Sequence, residues 1–232
     1  MARSGSGPRD WRYGVATVAD RTLALLLTLL RRVVPFDRAI RERGWLNVGE
    51  LGSLPAFTET TVGLIGSGRI GRAVIDRLKP FGFRILVHDP FVDGDELSAL
   101  GVTTAEFDDL LQESQAITLH VPLTKQTHHV IGQHALQRMR PGTVIVNTAR
   151  GGLIDEQELV KSLASRHLGA AALDVLESEP LPLDSELRST PNLLLTPHAA
   201  FFSDGSLAAL QRLATEEAER ALTGEPLRSP VA

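Results

Sequence analysis

The sequence predicts a doubly wound α/β fold, a parallel sheet with helices on both faces, and three observations predict it. From Thr61 onward, short apolar runs alternate with amphipathic ones. Strands alternating with helices make a parallel sheet covered on both sides. The first of these junctions carries Gly66-Ser67-Gly68-Arg69-Ile70-Gly71 between an apolar strand and a helix. An acid, Asp89, then ends the following strand.

The elements follow in order. Residues 1–12, opening MARSGSGPRD, are small, polar and Gly/Ser-rich, which reads as a frayed tail. Thr17 and Asp20 form a Thr-x-x-Asp capping box, and the helix they open runs to Val34, before Pro35. Its middle is apolar nearly all round, so it belongs in a core or between subunits. Strands are expected at Val62–Ile65, Arg84–His88, Ala116–Val121, Thr143–Thr148, Gly169–Val175 and Leu193–Thr196. Helices are expected at Arg69–Lys79, Phe107–Glu113, Gln133–Met139 and Asp155–Arg166, the last with acid at its start and base at its end. A final amphipathic helix spans Ser203–Thr223, with Gly224 in the stop position. The domain plan is a tail over 1–12, a nucleotide-binding domain over 13–200 with an apolar helix near its start, and a helix with tail over 201–232.

Composition excludes several classes. Net charge is −4, which argues against direct nucleic-acid binding. There is no Cys, hence no disulfide, thiol nucleophile or thiolate metal site, in keeping with a reducing cytoplasm. The Leu23–Leu30 run is too short to span a bilayer as a helix, so no membrane partner is expected.

The glycine turn has a mechanical reading. Gly66 allows the tight turn, Gly68 lets backbone approach a pyrophosphate, and Gly71 lets helix and strand pack closely. Backbone N–H groups at the helix start, around Ser67, Arg69 and Ile70, then face the anion. Asp89 can accept hydrogen bonds from ribose hydroxyls and would repel a 2′-phosphate, which favours NAD over NADP. Ligands in such sheets sit beyond the carboxyl ends of strands. Val121-Pro122-Leu123-Thr124 and Asn147–Arg150 both lie there.

Three further residues sit just past strand ends. Arg150 is always charged and offers a fork of donors to a carboxylate or carbonyl, although an isolated Arg there could equally be tied to a helix end. His198 is a proton donor suited to neutral pH, and Glu179 beside it would fix its tautomer and favour its protonated form. Each alone reads as an ordinary surface residue; the three together point to a catalytic site. His120, His128 and His129 lack a carboxylate or Cys at a helpful spacing, and adjacent histidines in a loop are usually solvated, so no metal site is expected.

The ordered set Gly66–Gly71, His88-Asp89-Pro90, Leu119–Thr124, Asn147–Gly151, Ala172–Val175 with Glu179-Pro180, and Thr196-Pro197-His198 resembles the D-2-hydroxyacid dehydrogenases, from about Tyr13 to Thr223. His128–Ile131, Glu177–Pro180 and Pro197–Ala200 are similar to the branch containing the carboxyl-terminal binding proteins, NAD-sensing corepressors in animals. The resemblance implies that Arg150 binds the substrate carboxylate and keto oxygen, that His198 gives the proton, and that Glu179 holds His198. It implies that Asp174 contacts the nicotinamide carboxamide. Residues 121–127, including Val121, Pro122, Leu123 and Thr127, would line the cofactor, as would Thr148, Ala149 and Arg150. It implies a homodimer formed by the helix after Thr17 and the segment Pro35–Leu46.

Members of that family carry a second lobe, most of it ahead of the point matched by Tyr13. The expectation is therefore a preserved cofactor site and catalytic trio without the closed cleft, with the last helix having lost the lobe it packs on. The leading function is NAD-dependent interconversion of a 2-keto acid and a D-2-hydroxy acid, impaired by the truncation. The alternative is a non-catalytic NAD(H)-binding regulatory dimer.

Overall fold

A computed structural model describes residues 14–228; the tail expected over 1–12 lies outside the described residues. Seven strands form one parallel sheet in the order β3-β2-β1-β4-β5-β6-β7. They are β1 (Thr61–Ile65), β2 (Arg84–His88), β3 (Thr103–Thr104), β4 (Ala116–Leu119), β5 (Val144–Asn147), β6 (Ala170–Leu173) and β7 (Leu193–Leu195). The helices are α1 (Val15–Leu30), α2 (Val33–Arg43), α3 (Arg69–Leu78), α4 (Gly94–Ala99), α5 (Phe107–Glu113), α6 (Gln133–Arg138), α7 (Glu156–Ala164) and α8 (Asp204–Thr223). The doubly wound expectation holds.

Two apolar layers sandwich the sheet. On one face Leu110 and Leu111 of α5, Leu136 of α6, and Leu159 and Leu163 of α7 pack on Ile65, Ile117, Leu119 and Ile145. On the other, Ala19, Leu25 and Leu26 of α1 and Val74, Ile75 and Leu78 of α3 pack on Val62, Leu64, Val146 and Ala172. All five residues of β1 and all four of β4 and β5 are buried. Strands covered on both faces need continuous apolar runs rather than alternation.

The apolar helix near the start behaves differently from the expectation. It ends at Leu30; Arg32 adopts a left-handed conformation (φ 49°), and α2 begins at Val33. Pro35 therefore sits in the first turn of a second helix instead of stopping the first, where its missing N–H has no intrahelical partner to lose. The Thr17–Asp20 capping box does not form: Gly14 is the N-cap, Thr17 lies 3.4 Å from the Ser203 hydroxyl, and Asp20 pairs with Arg77 at 2.6 Å. Ala19, Leu25 and Leu26 pack in the core with α3 and the sheet, whereas Leu23, Leu27, Leu29 and Leu30 are only partly buried. By contrast the caps at Asp155 and Gly224 form as read, and Ser203, expected inside the last helix, caps it instead.

Strand pairing places the site. The chain winds from β1 outward to β3, then returns to β4 on the opposite side of β1. The crevice where the winding reverses opens between the carboxyl ends of β1 and β4, at Gly66 and His120.

Candidate active site

Gly66 turns the chain off β1 with φ 94°; a Cβ there would lie 2.7 Å from the His120 carbonyl oxygen at the end of β4. Gly71 presses α3 onto that turn, since a Cβ would meet the Gly66 carbonyl oxygen at 2.4 Å. Gly68 differs: a Cβ there would meet nothing within 4 Å, and no side chain caps the α3 N-terminus that it opens. An uncapped helix end facing open space is what a pyrophosphate requires. The neighbouring positions Ser67, Arg69 and Ile70 frame it, with Ser67 buried and Arg69 exposed.

Asp89 follows β2 and reaches back to this turn. Its Oδ2 accepts the Ser67 N–H at 2.7 Å and the Ser67 hydroxyl at 2.8 Å, and its Oδ1 accepts the Phe91 N–H at 3.1 Å. Burial pushes this carboxyl up, but the bonds from Ser67 and Phe91 and the nearby His88 outweigh it and hold it below the usual carboxylate range. A carboxylate has about four acceptor positions. Three are used, which leaves one acceptor position on the carboxylate.

The segment after β4 is shaped by threonines. Strand pairing stops at Leu119, leaving Val121, Pro122 and Leu123 as loop. The Thr127 hydroxyl donates to the Pro122 carbonyl at 2.6 Å and accepts the Thr124 N–H at 2.8 Å, which closes the loop on itself. His120 is bonded to Thr118 at 3.1 Å, and burial pushes its imidazole down to about 3.

After β5, the buried Asn147 clamps the turn that carries Arg150. Its side-chain oxygen accepts the Ala149 N–H at 3.0 Å, and its amide donates to the Arg150 carbonyl at 2.8 Å. The Thr148 side chain turns away toward α1, 2.7 Å from the Thr22 hydroxyl. Thr22 donates to the Val18 carbonyl, so in this pair Thr148 is the donor.

The last two strand ends complete the site. Glu179 Oε2 lies 2.8 Å from His198 Nδ1, and Glu179 Oε1 accepts the Leu176 N–H at 2.8 Å. Burial raises the Glu179 carboxyl, but the bond from His198, the Leu176 N–H and the charges of His198 and Arg150 prevail and hold it low. His198 sits in a left-handed backbone (φ 53°), its N–H donating to the Asp174 carbonyl at 2.7 Å. The buried Asp174 carboxylate accepts the Ala199 N–H at 3.1 Å, the Ala200 N–H at 2.7 Å and the Thr196 hydroxyl. Asp174 thus fixes the 196–200 loop, a positioning role the sequence reading did not give it.

Arg150, Glu179 and His198 line one cavity of about 480 Å³, together with Leu123, Gly152 and Glu177. The three residues expected to act together are therefore brought together. Sequence reasoning missed Asn147, Thr22, and the pairing of His129 with Glu177 at 2.8 Å. The expectation of solvated loop histidines fails at His129, which is partly buried and hydrogen-bonded to Glu177, because the loop folds back toward the start of α7. Among the described residues no group of His, Asp and Glu is arranged to hold a metal ion.

A parallel sheet with this glycine turn and a carboxylate after the next strand is the arrangement of a dinucleotide-binding domain. The comparisons with known proteins agree. Residues 23–200 match the family model for the NAD-binding domain of D-isomer-specific 2-hydroxyacid dehydrogenases. A glyoxylate reductase from Korarchaeum cryptofilum is 40% identical over 202 residues, covering 86% of this chain and 61% of that protein. A D-specific alpha-keto acid dehydrogenase from Enterococcus faecium is 37% identical over 208 residues, covering 84% and 62%. The structure of a D-lactate dehydrogenase from Lactobacillus jensenii with NAD+ superposes with TM-score 0.86 at 28% identity, covering 97% of this chain and 70% of that one. The chain belongs to the D-2-hydroxyacid dehydrogenase family and carries its NAD-binding domain. It spans about three-fifths of the length of those two sequence relatives.

Proposed function

We propose that the protein interconverts a 2-keto acid and a D-2-hydroxy acid. The observation that carries this reading is the His198–Glu179 pair sharing a cavity with Arg150. Gly66–Gly71 and the α3 N-terminus would hold the pyrophosphate, and Asp89 the ribose of NAD. Val121, Pro122, Leu123, Thr127, Thr148 and Ala149 would wall the rest of the cofactor, mostly through backbone, since the Thr148 side chain points to α1. NADH bound there would supply the hydride. Arg150 binds the substrate carboxylate and polarises the keto oxygen. His198 Nε2 delivers the proton to that oxygen while Nδ1 stays bonded to Glu179. Asp174 keeps His198 aimed and borders the nicotinamide end. The test is NADH consumption by the protein with glyoxylate, pyruvate and hydroxypyruvate, with the products of the last two, whose C2 is chiral, resolved on a chiral column. A D-2-hydroxy acid is expected; an L product, or none with any 2-keto acid, would contradict the reading.

The domain plan carried forward is an NAD-binding unit over 13–200 followed by a helix and tail over 201–232, a reading supported by the family match over 23–200. A cytoplasmic location is part of this reading, supported by the use of a soluble nicotinamide cofactor. A homodimer is supported by the apolar residues that α2 and the segment after it leave exposed, among them Ile40, Trp45 and Val48, the last two both 77% exposed. These lie within or next to Pro35–Leu46, and on α1 Leu23, Leu27, Leu29 and Leu30 are only partly buried. Light scattering at micromolar concentration should give twice the chain mass, and Trp45→Asp should shift it toward one.

A further inference from the structure

We propose that His129 and Glu177 are positioning residues for the catalytic pair, an imidazole–carboxylate brace that fixes the loop from which Glu179 acts. The inference rests on the reading of His198 and Glu179 given above.

The loop after β6 carries two carboxylates that each meet an imidazole. Glu177 Oε1 lies 2.8 Å from His129 Nε2, and Glu179 Oε2 lies 2.8 Å from His198 Nδ1. Both histidines occupy left-handed backbone, with φ 52° and 53°. A non-glycine residue held there marks a conformation that its surroundings impose. At His129 the surroundings are visible: its N–H donates to the Gly152 carbonyl at 2.8 Å, and its Nδ1 lies 3.7 Å from Asp155. The His128 ring stacks on it with centroids 3.9 Å apart.

Glu177 is tied a second time. Its N–H donates to Glu156 Oε1 at 2.8 Å, and its Oε1 lies 3.4 Å from the Glu156 N–H at the start of α7. The same loop presses on the turn beside Arg150, where a Cβ on Gly151 would fall 1.9 Å from the Leu176 carbonyl carbon. Between these anchors the Leu176 N–H donates to Glu179 Oε1, which sets the carboxylate facing His198. Displacing Glu177 therefore displaces Leu176, and with it the group that orients Glu179. Neither His129 nor Glu177 needs to touch the reacting atoms to act in this way.

The experiment reads His198 itself. Imidazole ¹⁵N spectra of the protein, taken at a pH alkaline enough to leave the ring neutral and with His198 assigned by its loss in His198→Ala, should show a single tautomer with the proton on Nδ1, facing Glu179. In Glu177→Ala, and in His129→Gly, which removes the ring while suiting the left-handed backbone, the signal should move toward the average of two tautomers. Glu177→Gln keeps the acceptor and should restore the single tautomer. NADH affinity should be unchanged in all three, while turnover falls roughly tenfold in the first two, the scale of a small misplacement. The double variant should be no worse than either single one. If Glu177→Ala does not fold, His129→Gly carries the same test. An unchanged His198 tautomer in folded Glu177→Ala and His129→Gly would overturn the brace and leave the site reading intact. A mixed tautomer in the unaltered protein would overturn the site reading, and the brace with it.

Discussion

Asp89 and Ser67 are joined twice, the carboxylate accepting both the backbone N–H at 2.7 Å and the hydroxyl at 2.8 Å. The acid that should read the ribose is thus also a strut of the turn that should hold the pyrophosphate. Two consequences follow for nucleotide choice. NADH should bind well ahead of NADPH, because a 2′-phosphate would face a carboxylate held ionised by its donors. Asp89→Ala should narrow the gap by on the order of 1–3 kcal/mol, the cost of lost hydrogen bonds to a charged group. Calorimetric titration with both nucleotides decides it, and equal affinities in the unaltered protein would remove Asp89 from the ribose site.

The three glycines of the turn should separate fold from binding. A Cβ at Gly71 strikes the Gly66 carbonyl, whereas one at Gly68 projects into open space. Gly71→Ala should lower the melting temperature and abolish NADH binding together. Gly68→Ala should leave stability within about 0.5 kcal/mol, as surface substitutions do, yet weaken NADH severalfold. Undiminished binding in Gly68→Ala would show that the nucleotide does not approach this backbone.

Acid stability should carry the mark of His120. Its imidazole is pushed by burial from 6.5 down to about 3. Below about pH 6.5 the unfolded chain takes up a proton that the folded chain refuses until about pH 3. The unfolded state then binds more protons, so stability falls as pH drops, by about 1.4 kcal/mol per unit for one proton at full effect. Asp89 and Glu179 are held below the usual carboxylate range, so their own losses come at lower pH. Urea unfolding between pH 7 and 5 should therefore be less pH-dependent in His120→Gln than in the unaltered protein. Parallel curves would show that His120 accepts a proton in the folded state.

Much of this architecture was legible in the sequence, for reasons that differ by element. The turn from β1 to α3 was readable because Gly66 and Gly71 each meet a local steric demand, and Gly68 between them leaves the helix start open. Arg150, Glu179 and His198 were readable because each directly follows an apolar run, and the parallel sheet delivers strand ends to one edge. Strand ends were overestimated at Val121, Thr148 and Val175, which are apolar or β-branched yet leave the ladder to form loops. α2 was missed because Pro35 reads as a stop, whereas it sits in a first turn. β3 and α4, two and six residues long, are too short for any period to show. The His129–Glu177 contact joins residues 48 apart, and no spacing rule could reveal it. Thr22 was read only as part of an apolar helix; its bond to Thr148 depends on how α1 lies across the sheet.

The most direct test of the central claim compares NADH oxidation by the unaltered protein, His198→Ala and Glu179→Gln at saturating NADH, with glyoxylate as acceptor. All three should bind NADH equally, because neither residue belongs to the nucleotide-binding turn. His198→Ala should be at least about a hundredfold slower, the lower bound for loss of a general acid, with Glu179→Gln falling between it and the unaltered protein. Undiminished turnover in His198→Ala would contradict the assignment of proton transfer to this imidazole, and with it the account of how the site works.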